Sequence, residues 1–67
     1  MSKYGTVLWY NRMKNYGFIS SENESEDFYV HKTSLENAKR LKEGQSVKFD
    51  EGEPLKGHKV AINVYVD

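Results

Sequence analysis

The run Lys14-Asn15-Tyr16-Gly17-Phe18-Ile19 and its counterpart Phe28-Tyr29-Val30-His31 decide how this chain folds. In an extended strand, side chains two positions apart point to the same face. If Ile19 and the pair Phe28/Val30 face a core, the opposite face carries four rings: those of Tyr16, Phe18, Tyr29 and His31. Trp9 is a candidate fifth ring, provided that a bulge separates it from the face of Val7.

Exposed π-faces on one sheet surface are suited to stacking with unpaired nucleotide bases. Each ring taken singly has a second interpretation, because aromatic residues in a small β-protein more often pack in the core. The two runs together place too many rings opposite Ile19, Phe28 and Val30 for one small core to bury them all. We therefore predict an exposed aromatic platform.

Strand-like segments extend on both sides of these runs. Alternating apolar residues and β-branched or aromatic content predict five strands, at residues 4–11, 16–20, 27–31, 46–51 and 58–66. Residues 33–41 alone have helical character, with Ser34 as a cap. Five short strands separated by turn signals indicate a small barrel or sandwich. The predicted core comprises Val7, Ile19, Phe28, Val30, Val47, Phe49, Val60, Ile62 and Val64.

Length and composition exclude several classes of protein. We expect the 67 residues to form a single domain, residues 1–67. There is no cysteine, and the two histidines are too few for a metal site unless carboxylates join them. We expect no metal, no cofactor and no catalysis, since no nucleophile–base pair is evident. No apolar run reaches the ~20 residues of a membrane span, so we expect a cytoplasmic monomer with no membrane association.

The net charge is zero, but the charges are unevenly distributed. Residues 1–21 carry a net charge of +3 and residues 28–49 another +3, whereas the loop at residues 22–27 carries −4 and residues 50–67 carry −2. The aromatic runs therefore lie beside positive charge. A solvated surface of mixed sign accounts for the charges equally well on their own.

The order and spacing of these segments resemble the cold-shock domain family over almost the whole chain. The resemblance rests on Gly5 to Asn11, the two aromatic runs, Gly44-Gln45 and Ala61-Ile62-Asn63-Val64. It implies an all-β fold, a five-stranded antiparallel Greek-key barrel (OB-fold). It also implies binding of single-stranded RNA or DNA with little sequence preference, and an RNA-chaperone role that keeps RNA unpaired during transcription and translation.

The binding positions of the family carry over residue by residue. Its base-stacking positions hold Trp9, Tyr16, Phe18, Tyr29 and His31. Polar positions beside them hold Lys14 and Asp27, and a basic position in the loop before the last strand holds Lys56. Lys32, directly after the second run, is expected to contact a phosphate. Asn11 matches the family's asparagine at the end of the first strand.

The chain also departs from the family pattern. Leu8 stands where the family has lysine, and Lys32 stands where it has an aromatic residue. The loop after the second run is shorter than in the family, and Ala38 or a neighbour stands where the family has a further exposed aromatic residue. Losing two rings, each worth roughly 1–3 kcal/mol, would weaken binding by two or more orders of magnitude unless something compensates. Asn15 replaces a glycine and tolerates a left-handed conformation. Tyr10 replaces a phenylalanine, and its hydroxyl needs a partner or the surface.

A second function from another class is compatible with the same sequence. The chain could be a small barrel for protein–protein interaction, with weak or no nucleic-acid binding. Its exposed aromatic residues would then be hot spots for a partner, and the acidic loop at residues 22–27 would serve that partner. Indifference to oligonucleotides distinguishes this alternative.

Overall fold

The computed structural model describes residues 2–22 and 24–67; Asn23, which belongs to the predicted acidic loop, lies outside the described residues. Five strands make up most of the chain: β1 (Lys3–Asn11), β2 (Tyr16–Ser21), β3 (Phe28–His31), β4 (Ser46–Glu51) and β5 (Lys59–Val66). A 3₁₀ helix at Lys32–Ser34 follows β3. Among the described residues, no helix is long and apolar enough to cross a membrane.

The strands close into a barrel in the order β1-β2-β3-β5-β4, which confirms the predicted five-stranded barrel. Four of the neighbouring pairs are antiparallel, and the closing pair, β3 with β5, is parallel. A closed ring with an odd number of strands cannot alternate in direction all the way round. One parallel pair is therefore a geometric necessity that the description "antiparallel barrel" leaves out.

A bulge in β1 separates the core residue from the surface residue that follows it. Val7 pairs with Ile19 and Trp9 pairs with Phe18, so Leu8 is an extra residue with no partner in β2. The bulge reverses the alternation of side chains. Val7 is consequently buried while Trp9 is 42% exposed, so the condition under which Trp9 joins the exposed rings is met.

A second bulge, in β5, makes part of the predicted core wrong. Asp50 pairs with Ile62 and Lys48 with Tyr65, so Asn63 and Val64 together oppose Phe49 alone. Asn63 takes the left-handed conformation there, with φ of 51°. Because the alternation changes at this point, Val60 and Ile62 are only half-buried. The buried set is Val7, Ile19, Phe28, Val30, Leu41, Val47, Phe49, Ala61 and Val64.

The predicted helix at residues 33–41 does not form beyond the 3₁₀ turn, and His31 rather than Ser34 accepts the capping hydrogen bond. The segment instead lies alongside β5. The side chain of Asn37 accepts from Val66 N at 2.8 Å and donates to Val66 O at 3.0 Å. Leu35 forms an isolated parallel β-bridge with Val64, and Leu41 is buried in the core. These tertiary contacts outweigh a weak local preference for helix.

Tyr10 has a hydroxyl that the barrel leaves without a partner. Its ring packs against the core, and Oη is buried with no hydrogen-bond partner among the described residues. Burial also raises the pKa of this hydroxyl. A buried polar group without a partner costs about 1–3 kcal/mol.

We therefore expect Tyr10→Phe to raise the free energy of unfolding by about 1 kcal/mol. Urea unfolding of this variant measures the change. Tyr65→Phe is the matched control, because Tyr65 is 47% exposed. A Tyr10→Phe variant less stable than the parent protein would show that the hydroxyl is satisfied.

Glu24 links the acidic loop to two strands. Its carboxylate accepts a hydrogen bond from Lys59 Nζ at 2.6 Å and lies 3.5 Å from Lys3 Nζ. The hydrogen bond from Lys59, followed by the charges of Lys3 and Lys59, lowers the pKa of Glu24. The hydrogen bond to Glu24 raises the pKa of Lys59. The link therefore depends on both groups being charged.

The stabilising effect of Glu24 is expected to disappear in acid. Because folding lowers its pKa, the contribution is complete above the unfolded-state value of 4.5 and is lost as the pH falls through the lower folded-state value. We expect Glu24→Gln to lower the melting temperature at neutral pH and to leave it unchanged in strong acid. Glu53→Gln, at an exposed residue outside the described ion pairs, is the control. Equal melting temperatures for the Glu24→Gln and parent proteins at neutral pH would contradict the expectation.

Candidate nucleic-acid interface

Four aromatic rings form a connected cluster on the outer face of β1, β2 and β3; we call it the platform. Phe18 lies at its centre, with ring centroids 5.3 Å from Trp9, 6.5 Å from Tyr16 and 5.9 Å from Tyr29. Trp9 meets Tyr16 edge-on at 5.4 Å, and Tyr16 stacks on Tyr29 at 5.6 Å. These rings contact one another without being buried. Flat apolar faces therefore remain open to solvent.

Strand register explains why these rings meet. Phe18 pairs directly with Trp9 on one side and with Tyr29 on the other. The residues next to these rings in sequence, Ile19, Phe28 and Val30, point inward and are fully buried. The alternation of side chains along β2 and β3 therefore places apolar residues in the core and the rings on the outer face. Gly17 is packed against the backbone of β1, where an added Cβ would lie 2.8 Å from Tyr10 Cα and against Trp9 O. Without a side chain at residue 17, β2 can approach β1 closely enough to bring the rings together.

One end of the platform is bordered by the turn before β5. Lys56 and Gly57 both have positive φ, at 51° and 81°, in a tight turn closed by hydrogen bonds between Leu55 and His58. The turn brings the His58 ring to 6.3 Å from Phe18, edge-on. Lys56 lines a cleft with Tyr29 and His58, and Asp27 lines another with Phe18 and His58.

His31 lies at the other end, beside Tyr16 across the β2–β3 pair. Its Nδ1 accepts a hydrogen bond from Thr33 N at 3.2 Å and lies 3.1 Å from Thr33 Oγ1. Since the backbone N–H can only donate, Nδ1 is the acceptor and the neutral ring carries its proton on Nε2. The ring is thus held in one orientation, with a donor left on Nε2.

The turn between β1 and β2 is fixed by Asn11. Its Oδ1 accepts from Met13 N at 2.9 Å and from Lys14 N at 3.0 Å, and its carbonyl accepts from Asn15 N at 2.7 Å. Asn15 takes a φ of 60°, which confirms the left-handed conformation expected at this position. Lys14 is exposed on this rigid turn, close in sequence to the Tyr16 end of the platform.

The model of the 'cold-shock' DNA-binding domain family matches residues 3–66, which is nearly the whole chain. The chain belongs to the cold-shock domain family. Its fold is accordingly an OB-fold, the five-stranded barrel in which the platform lies on β1, β2 and β3.

Curated relatives resemble this cold-shock domain along most of their own length. A cold shock-like protein of Aquifex aeolicus is 46% identical over 98% of this chain and 96% of its own. Cold shock-like protein CspA of Rickettsia typhi is 47% identical, covering 92% and 90%, and CspD of Escherichia coli K12 is 38% identical, covering 94% and 88%. Among solved structures, Drosophila Unr CSD456 superposes with a TM-score of 0.79 at 15% identity, over 98% of this chain and 26% of that one.

The structure brings some of the predicted site residues of this cold-shock domain together and separates others. Trp9, Tyr16, Phe18 and Tyr29 share the ring cluster, and His31 borders it. Asp27 and Lys56 flank one end, while Lys32 and Lys14 lie toward the other, where β3 ends and β1 turns into β2. Whether each residue contacts a ligand remains a prediction.

His58 is a platform neighbour that sequence reasoning missed. From the sequence alone, we interpret His58 as an ordinary residue at the edge of a turn. The only sequence signal is its position two residues after Lys56, which the family resemblance had placed beside the platform. Within the chain segments that the structure describes, no group of three or more His, Cys, Asp or Glu side chains is arranged to hold a metal ion.

Proposed function

We propose that this cold-shock domain binds single-stranded RNA or DNA by stacking unpaired bases on Trp9, Tyr16, Phe18, Tyr29 and His31. The observation that carries the proposal is the cluster of connected, solvent-facing rings around Phe18. On a small barrel, a contiguous patch of exposed apolar rings is typical of a surface that binds a ligand. Bases cover them well, because every base offers a π-face and stacking on an aromatic side chain is worth ~1–3 kcal/mol.

Charged side chains beside the platform supply the second part of the interaction. Lys14, Lys32 and Lys56 are exposed at its margins and neutralise phosphates, while Asp27 accepts hydrogen bonds from a base. Few cations are involved, so the salt dependence is shallow. On single strands it amounts to about −0.7 in log–log slope for each phosphate contact.

Binding of this kind has an RNA-chaperone effect, with consequences for transcription or translation. A duplex hides its π-faces, so the domain binds only the open form. By mass action it draws a hairpin toward that open form. A hairpin RNA carrying a fluorophore and a quencher at its ends measures this directly. We expect the parent protein to raise the open fraction and Phe18→Ala to have little effect.

The experiment that tests the proposal uses Trp9, the single tryptophan, which is 42% exposed on the platform. Its fluorescence is titrated with oligo-dT and with a duplex of matched length. We expect saturable quenching by the single strand and none by the duplex. Chemical-shift mapping of the platform amides is the second readout. If both stay unchanged, the domain is better explained as a protein–protein interaction module.

A further inference from the structure

A groove at the His31 end of the platform carries an unusual concentration of positive charge. We call it the basic groove. It is lined by Arg12, Met13, Asn15, Lys32, Lys39 and Arg40. Four of these six side chains are cationic, and none is acidic or aromatic. The net charge of the whole chain is zero, so this local excess reflects placement rather than composition.

Both walls of the basic groove are held by the fold. Arg12 and Met13 lie on the turn that Asn11 fixes with three hydrogen bonds. Lys39 and Arg40 lie between Asn37, which is bonded twice to Val66, and Leu41, which is buried in the core. The groove is thus a formed feature rather than four independent side chains on a loop.

The floor of the groove joins the platform directly. Lys32 follows His31 in sequence, and Lys32 N donates to Asn15 O at 2.9 Å. Asn15 precedes Tyr16, whose ring belongs to the platform. Residues that line the groove, Asn15 and Lys32, are thus the immediate neighbours of Tyr16 and His31 at this end of the platform.

The cations of the groove are available to a ligand. In residues 2–22 and 24–67, the ion pairs are made by Lys3 and Lys59 with Glu24 and Glu51. None of the four groove cations takes part. Cations gathered without carboxylates repel one another, so an anion bound among them relieves a cost already present in the free protein.

We propose that the basic groove binds the phosphates of a single strand that continues beyond the platform, with Arg12, Lys39 and Arg40 as contacts in addition to Lys32. The inference rests on the proposed function and extends its site. A guanidinium pairs with a phosphate through two parallel hydrogen bonds, and the lysines supply point charges. The groove has no ring on which a base could stack, so it adds affinity through charge. Strands long enough to reach it therefore bind with a steeper salt dependence than short ones.

The test compares two strand lengths and two matched double variants. Lys39→Gln/Arg40→Gln removes two charges from the groove. Lys42→Gln/Lys48→Gln removes two charges at exposed residues outside the groove lining. Affinities for dT4 and dT9 are measured by Trp9 quenching over a range of salt concentrations. Thermal unfolding checks that both variants fold.

With dT9, we expect the groove variant to lose about 1.4 from the log–log salt slope, which is two contacts at 0.7 each, and the control variant to keep the slope of the parent protein. With dT4, we expect both variants to match the parent. In the parent protein, we expect the amide NMR signals of Lys39 and Arg40 to shift on addition of dT9 and to stay unchanged on addition of dT4. These results together would support the groove as a phosphate site.

Two other outcomes would overturn the inference, and they differ. If the parent protein binds both strands but the groove and control variants show the same dT9 slope, the groove takes no phosphate and the platform proposal stands. If the parent protein binds neither strand, the proposed function fails and the groove inference fails with it.

Discussion

Phe18→Ala is expected to weaken binding of a single strand roughly 5- to 150-fold, the equivalent of about 1–3 kcal/mol for one lost stacking partner. Phe18 is the ring that touches the most others, since it contacts Trp9, Tyr16, Tyr29 and His58. Its removal takes one π-face away and loosens its four neighbours. The loss is therefore expected at the upper end of that range. Titration of oligo-dT by Trp9 quenching measures it.

The fold is expected to survive this change, because the Phe18 side chain is only half-buried on the outside of the barrel. Tyr29→Ala is a second test at the same surface, with an expected loss of at least about 1 kcal/mol. Tyr65→Ala is the matched control, because Tyr65 is an exposed aromatic residue outside the ring cluster. Full affinity in both Phe18→Ala and Tyr29→Ala would refute stacking on the platform.

Gly17→Ala is expected to lower the free energy of unfolding by about 3 kcal/mol. The added Cβ would lie 2.8 Å from Tyr10 Cα and would also run into Trp9 O, which are backbone atoms that no rotamer change can move. β1 and β2, which share more paired residues than the other strand pairs, would have to move apart. A chain of this size has only about 3–10 kcal/mol of stability in total, so much of the protein would unfold on mild heating. The melting temperature is expected to fall by roughly 12–24 °C.

Gly44→Ala separates this steric effect from the general cost of replacing a glycine. Gly44 has a φ of 89° and no heavy atom within 4 Å of an added Cβ. Alanine there is strained by its backbone alone, which costs roughly 1–2 kcal/mol. If Gly17→Ala lowers the melting temperature no more than Gly44→Ala does, the close approach of β1 and β2 does not limit stability.

Much of the fold followed from local pattern. The five strands are confirmed to within one residue at each end, because alternating side chains reflect a barrel with one wet face and one buried face. Alternation fails where a strand gains a residue. The bulge near Leu8 could be anticipated only as a condition, because Val7 and Trp9 share a face of a regular strand and Trp9 is exposed only if a bulge intervenes. The bulge at Asn63 could not be anticipated, because Val60, Ile62 and Val64 alternate without a visible conflict.

The candidate site was predictable to a similar extent. Cross-strand register brings Phe18 beside Trp9 and Tyr29, and register can be deduced from two adjacent aromatic runs. The position of His58 depends on a turn with two positive φ angles and on a parallel pair, neither of which leaves a local pattern. The basic groove joins residues 12–15 to residues 39–40, which meet only because Asn37 and Leu41 are anchored elsewhere in the barrel.

The position of β5 between β3 and β4 also affects how the barrel folds during synthesis of the chain. Until residues 59–66 have been synthesised, β3 and β4 each have an open edge of unpaired backbone groups. Such edges pair readily with other chains, and contacts between distant segments form slowly. A ribosome-bound chain that lacks β5 therefore already has its aromatic strands but no closed barrel. We expect premature termination before residue 59 to yield aggregates rather than a smaller working protein.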